Sequence, residues 1–261
     1  MKVKLIAHTP QPEKVVAAAA KLCYANTGID ELLEGLDAEK SRDFVRMLAE
    51  LGHESPTEHA SFTFAAEGVS RSLLAQITRH RIASFSVQSQ RYVKMDAFAY
   101  VLPPEIEKIP EAKALFEQAM NDEAARYEQL TEILKKEHEE AYLKEGLAQK
   151  EATSKAEKKA IEDARFLLPN GCSTKMIFTM NARSLNHFFI LRCCNRAQWE
   201  IHALADEMLK LAFAAAPALF AKAGPSCAAG PCGEGKMSCG RAAEMRAAYA
   251  ALRAQACGGE E

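Results

Sequence analysis

The chain has 261 residues, 48% of them hydrophobic and 26% charged, enough to bury one large core or two smaller ones. Its formal net charge of -2 excludes a protein held mainly by nucleic-acid phosphates, a role that needs a strong basic excess, so any cationic function must be local. No apolar run approaches the roughly 20 residues that cross a bilayer, and the start MKVKLIAHTPQPEK lacks the apolar core and cleavage site of a signal peptide; a cytoplasmic location with no membrane partner is expected.

Residues 2–8 suit a short strand, and Pro12, tolerated in a first helical turn, opens an alanine-rich helix to about Tyr24. Phe44, Met47, Leu48 and Leu51 fall at helical spacing and predict a helix over 39–51, followed by the polar loop HESPTEH. Residues 61–66 alternate as a strand, and Ser70 is placed to cap a helix that carries Leu73, Leu74 and Ile77 into Arg79. The segment holding Ser84, Ser86 and Ser89 shows no sustained period and reads as loop; a short strand at 98–102 stops at Pro103 and Pro104.

From about Pro110 to Phe166 the chain is dense in Ala, Glu, Lys and Leu, with Leu115, Tyr127, Leu130, Leu134 and Tyr142 on a helical repeat. Two or three long helices are expected there, broken at Gly146 and the polar run QKEATSKAEKK. LLPNGC then gives a turn, TKMIFTM a strand and NARSLNHFFILRCC a helix, and a last long helix over about 197–221 carries Trp199, Leu204, Met208, Leu211 and Phe213. MRAAYAALRAQ reads as a short amphipathic helix. The fold class is α+β: a helix-dominated single domain over 1–222 with a small mixed or antiparallel sheet, and a Cys/Gly-rich C-terminal extension over 223–261.

The stretch RHRIASFSVQSQRY, residues 79–92, gathers Arg79, Arg81, Arg91 and His80 with three serines and no carboxylate. Forked guanidinium donors with hydroxyls between them suit an anion such as phosphate. Gln76, Arg79 and His80 stand at i, i+3 and i+4, so a continuous helix would present them on one face. Ser89 as a nucleophile would need a base, and only His80 is near in sequence; a binding role is the alternative.

In NARSLNHFFILR, Arg183 and His187 are four apart on one helical face. Arg192, about 900° further round from Arg183, should point to nearly the opposite side, serving another ligand or another copy of a shared site. His187 beside Phe188 and Phe189 also fits a satisfied core histidine.

RHR followed seven residues later by Ser89, with TEHASFTF, AQITRHR, SQRY, ARFLLP, NARSLNHF and AQWEI in order over roughly residues 1–222, resembles the flavin-dependent thymidylate synthases. The resemblance implies the thymidylate synthase-complementing fold and the reductive methylation of dUMP to dTMP. FAD would be the cofactor, 5,10-methylenetetrahydrofolate and NADPH the co-substrates, and a homotetramer the assembly, with sites between subunits. It implies Ser61, Arg79, His80, Arg81, Asn181, Ala182, Arg183 and His187 on FAD. It implies Gln76, Arg79, Val87, Gln88, Ser89, Gln90, Arg91, Arg165 and Arg192 around dUMP, with Val87 contributing backbone only. Arg192 and His59 would be catalytic, Arg192 favouring ionisation of the uracil and His59 lying near flavin and folate. No protein nucleophile is then required, and no nucleotide fingerprint for NADPH is expected.

Two alternatives come from other classes: a nucleic-acid-binding module built on the Arg/Ser loop 79–91, and a zinc-bearing helical scaffold. Cys227, Cys232 and Cys239 fall as C-x4-C-x6-C; with Cys257 or a distant histidine they would suit zinc, but without a CxxC pair free or redox-responsive thiols are the favoured reading and no metal is assigned. GPCGEGKM, residues 230–237, nears a phosphate-binding loop, but Met237 replaces the required hydroxyl residue and a helix, not a strand, should precede it.

Overall fold

The computed structural model describes residues 1–94 and 98–257. Strand β1 (Lys2–His8) leads to helix α1 (Pro12–Leu22), the short α2 (Ile29–Glu34) and α3 (Ala38–Leu51). A 3-10 turn over Ser55–His59 precedes β2 (Ser61–Ser70), α4 (Arg71–Ile77) and β3 (Ser84–Val87). Then come the single turn α5 (Pro104–Glu107), the long α6 (Pro110–Lys144) and α7 (Gln149–Ala164), and a 3-10 turn over Arg165–Leu167. Strand β4 (Ser173–Asn181) runs into α8 (Ala182–Arg192), followed by α9 (Trp199–Ala215), α10 (Ser226–Ala229), a 3-10 turn over Gly235–Met237 and α11 (Ala242–Cys257).

The protein is thus helix-dominated around one small antiparallel sheet of order β1-β2-β4-β3. The two central strands alternate as their side-chain period of two requires: Phe62, Phe64 and Ala66 of β2, and Met176, Phe178 and Met180 of β4, are buried. Among the described residues, no helix is long and apolar enough to cross a membrane.

The contacts divide the chain into two compact units. One comprises Met1–Ala66, Gln76–Ser86 and Ile177–Glu261; the other comprises Glu67–Ala75 and Val87–Met176. The first has an aromatic core. Phe62 meets Phe220 edge-on at 5.1 Å between ring centroids, Phe220 meets Phe189 at 5.9 Å, and Phe64 stacks on Phe178 at 5.8 Å. Residues 223–257 belong to this unit, with α11 against α9. Tyr249 fixes that docking with its one hydroxyl proton, shared between the Cys193 carbonyl at 3.0 Å and Asp206, and it crowds Gly224, where a Cβ would lie 3.1 Å from its ring.

The second unit rests on α6 against α7. Ala152, Ala156, Ala160 and Ala164, all fully buried, form a smooth stripe at a four-residue period that lets a neighbouring helix approach closely. The sequence places a break over Gly146 and QKEATSKAEKK; the break is confined to residues 145–148 around Gly146, whose φ of 90° is the left-handed conformation, and the polar run is α7. Its charges are the solvated face, and its alanines carry no hydropathic period to announce the buried one.

Other departures are local. The segment read as a serine loop includes β3, and the strand expected over 98–102 is only an isolated bridge between Tyr100 and Cys172. Ser70 caps α4 as the sequence indicates, its Oγ accepting from the Leu73 amide at 3.0 Å. The near-motif at 230–237 follows α10 and contains a 3-10 turn, not the strand-to-helix frame of a phosphate loop.

Candidate functional site

The first unit carries a cleft of about 930 Å³, at the upper end of the range for small-molecule sites. Its walls are built from three short segments. α4 stops at Ile77, two residues before its sequence pattern suggests, because the next amides bond back three residues: Arg79 to the Gln76 carbonyl at 3.3 Å and His80 to that of Ile77 at 3.0 Å. Arg79, His80, Arg81 and Ile82 therefore cross the cleft as irregular chain. α8 supplies the second wall, beginning where the Asn181 side chain caps it by accepting from the Ser184 amide at 2.8 Å. The turn over Ser55–His59 supplies the third, through Glu58, with Glu54 just before it.

Charge in this cleft is uneven: four guanidiniums face two carboxylates. Arg183 holds both carboxylates, through a hydrogen bond to Glu58 and a 3.5 Å approach of its Nε to Glu54. These contacts, the Glu58 bond foremost, push the pKa of Arg183 up. Sequence reasoning missed Glu54 and Glu58; the only trace was two acids four residues apart in the loop HESPTEH.

Arg192 Nε donates to His80 Nε2 at 3.1 Å. The bond requires a neutral imidazole, since a protonated ring has no acceptor. Burial, then the charges of Arg192, His187 and Arg79, lower the His80 pKa from 6.5 to about 4. As pH falls below 6.5 the unfolded chain takes up a proton that the folded chain refuses, so this group's contribution to stability declines between 6.5 and about 4; below that the Arg192 bond itself is lost. In an NMR titration the His80 ring signals should have their midpoint near 4, and a midpoint near 6.5 would remove the proposed pairing.

The His80 ring stands edge-on to buried Phe188 at 4.9 Å and to His187 at 6.4 Å. His187 is exposed and lines the cleft, so the core-histidine alternative does not hold. Arg192 does not serve a separate face either. Both it and His187 line the same cleft, because the long Arg192 side chain, in the last turn of α8, returns to the His80 segment. Desolvation and Arg79 lower the Arg192 pKa, though a guanidinium stays charged. The half-apolar part of the wall is Ile82, Ile190 and Leu191.

Other candidate residues stand apart from the cleft lining. His59 closes its 3-10 turn exposed, with Glu58 lining the cleft instead. Ala182 is fully buried, its amide donating to the Ala60 carbonyl at 2.8 Å. Ser61 has its amide and carbonyl engaged with Thr9, at 2.9 Å each. Gln76, half-buried, remains in α4.

The second unit holds the other set by itself. Val87 ends β3, and Gln88, Ser89, Gln90 and Arg91 form the turn after it. The Gln88 amide donates to the Lys175 carbonyl at 3.0 Å, and Ser89 Oγ accepts from the Arg91 amide at 3.2 Å, a local turn bond that fixes the loop. Arg91 lies 5.1 Å from the centre of the Tyr92 ring and 3.5 Å from Glu162; Arg165 lies 5.8 Å from that of Phe166.

Residues 4–218 match the family model described as thymidylate synthase complementing protein. The chain belongs to that family. Among relatives, it is 56% identical over 249 residues to a flavin-dependent thymidylate synthase of Clostridium tetani, covering 95% of this chain and 97% of the other. It is 49% identical over 248 residues to one of Geobacter sulfurreducens, covering 94% and 97%. Among solved structures, a UMP/dUMP methylase, PolB, from Streptomyces cacaoi bound with 5-Br dUMP matches at a TM-score of 0.64 and 23% identity, covering 85% of this chain and 95% of that one. The Helicobacter pylori enzyme ThyX, complexed with FAD and dUMP, matches at 0.56 and 24%, covering 81% and 93%. For this member of the thymidylate synthase complementing proteins, those two likenesses show the fold, and the sequence relatives carry the family.

Proposed function

We propose that this chain is a flavin-dependent thymidylate synthase, which methylates dUMP reductively to dTMP with FAD in the cleft of the first unit. The observation that carries the reading is the cationic wall in which Arg192 is fixed against a neutral His80, within a chain 56% identical to a named synthase of this kind. The residues fit the cofactor. Arg79, Arg81 and Arg183 offer forked donors suited to a diphosphate, and Ile82, Ile190 and Leu191 offer apolar surface for a flat ring.

FAD, when bound, supplies the redox chemistry that side chains lack. The chain's own residues bind, orient and polarise. The Arg192 guanidinium, held through Nε by His80, keeps its two terminal nitrogens for the pyrimidine, where it stabilises the negative charge that makes C5 electron-rich. Because His80 is neutral, it accepts the Nε–H of Arg192 without repelling the guanidinium. Glu58 and Glu54 orient Arg183 and leave part of its fork for the cofactor. Asn181 sets the start of α8 and hence the spacing of Arg183 and His187.

Gln76, Arg79, Val87–Arg91, Arg165 and Arg192 are the residues proposed for dUMP, with Ser61, Ala182 and His59 contributing to flavin and folate. A homotetramer in which copies of the chain complete one another's sites is the proposed assembly, with 5,10-methylenetetrahydrofolate and NADPH as co-substrates and the cytoplasm as the location. A nucleic-acid-binding module is not favoured, since the relatives are named as enzymes. Ser89 is a binding residue: its Oγ is already committed to the Arg91 amide, and His80, the base a nucleophile would need, gives Nε2 to Arg192.

The test is dTMP formation from dUMP by the purified chain with 5,10-methylenetetrahydrofolate, NADPH and FAD; turnover that proceeds unchanged without flavin would reject the reading. Ser89→Ala should raise the KM for dUMP by about tenfold, the loss of roughly one charge-assisted hydrogen bond, and leave kcat largely intact. Complete loss of chemistry at saturating dUMP would restore the nucleophile.

A further inference from the structure

Beyond residue 218, where the family match ends, the tail folds back on the segment that follows α8. Arg196 Nη1 donates to the Met237 carbonyl at 2.8 Å, and Asn195 Nδ2 approaches Cys239 Sγ at 4.0 Å, which brings Cys239 beside the segment that starts with Cys194. Cys227 and Cys232 stand five residues apart across a tight turn. Ser226 Oγ closes it by accepting from the Gly233 amide at 2.8 Å, and a Cβ at Gly233 would lie 3.1 Å from that oxygen.

From these placements we infer that Cys194, Cys227, Cys232 and Cys239 form a tetrathiolate zinc site that fastens the C-terminal segment to the first unit. This fourth ligand was not apparent in the sequence, where Cys194 is 33 residues from the tail's first cysteine; Cys257, considered there, has its side chain outside the described residues. Tyr249 joins the two halves: its hydroxyl meets the Cys193 carbonyl at 3.0 Å, one residue before Cys194, and its ring lies 3.1 Å from where a Cβ at Gly224 would stand, three residues before Cys227. Cys193, next in sequence, is excluded: it is buried and faces Asp206 and Tyr249.

Among the described residues no three His, Cys, Asp or Glu side chains already stand as a metal site. Closing the four sulfurs to the spacing that a zinc–sulfur bond of about 2.3 Å requires falls to side-chain rotation, for which exposed Cys239 and half-exposed Cys194 and Cys232 have room. The ion would release thiol protons and leave a net negative centre. Arg246 answers that charge: its Nε and Nη2 already donate to the Cys227 and Gly230 carbonyls at 3.0 and 3.2 Å, and Arg196 flanks the other side. Four sulfur ligands without an open position suit a structural ion, and zinc brings no redox chemistry of its own.

The full chain, purified under reducing conditions with its flavin, should contain about one zinc per chain by mass spectrometry of the metal. Cys232→Ser and Cys239→Ser should each lower zinc affinity by more than about tenfold, whereas Cys23→Ser, at the exposed end of α1, should not. Should the variants fold poorly, the wild-type chain stripped by a chelator and titrated with Co²⁺ should develop the red-region bands of tetrahedral cobalt thiolate, where oxidised flavin does not absorb. Four thiols that react freely with Ellman's reagent and no zinc, iron with sulfide in its place, or a disulfide between Cys227 and Cys232 would each overturn the inference. Metal content is read independently of flavin, so its failure is distinct from failure of the synthase reading.

Discussion

Arg192→Ala is expected to lower kcat for dTMP formation by about 10²–10³-fold, equivalent to roughly 3–4 kcal/mol of transition-state stabilisation, while flavin stays bound. In the cleft the Arg192 guanidinium is fixed against a neutral acceptor rather than a carboxylate, so removing it deletes a charge without breaking the ion pairs of Arg183. Arg192→Lys should not restore the rate. Lysine keeps the charge but lacks the planar fork and the Nε that His80 holds. A second readout separates this role from simple misfolding. Arg192 is the largest charge contribution to the low pKa of His80, after burial, so its removal should move the His80 midpoint upward from about 4. Loss of FAD, with activity recovered by adding the cofactor, would place Arg192 on the flavin instead.

Phe188→Ala should be the most damaging single change to stability near the site, costing about 3–5 kcal/mol and lowering Tm by on the order of 10 °C. Phe188 is fully buried in α8, edge-on to Phe189 at 5.8 Å and to His80 at 4.9 Å, so its ring joins the aromatic core to the cleft wall. The cavity left behind would admit water beneath His80 and weaken the desolvation that dominates its pKa, moving the midpoint toward 6.5. Turnover should fall with it. A Tm within a degree or two of wild type would mean that the core and the cleft wall are not linked through this ring.

Much of the architecture could be read from residue pattern alone because it is written in apolar period. Phe62 and Phe64, and Phe178 and Met180, alternate as central strands must, and Leu204 and Met208 recur as a buried helix face must. What escaped was information carried by other means. α7 hides its buried face in four alanines among charges, and β3, an edge strand of four residues, carries its serines on an alternation too short to recognise. In the cleft, residue types were legible but their geometry was not. That α4 ends at Ile77 and that Glu58 rather than His59 lines the wall depend on backbone turns with no side-chain signature, and that Arg192 turns back to His80 depends on the path of one long side chain. The neighbourhood of Cys194 and Cys239 is a tertiary pairing across 45 positions and could not be seen from spacing.

The central claim is that the arginine-rich cleft holds a flavin that serves dUMP. Its most direct test is the visible absorption of the purified chain, supplemented with FAD and then mixed anaerobically with NADPH in the presence and absence of dUMP. The account predicts about one flavin per chain, bleached on reduction when dUMP is present, and little flavin retained when Arg79 and Arg81 are both changed to alanine. A chain that stays colourless after incubation with FAD, or that binds flavin equally well without those arginines, would contradict it.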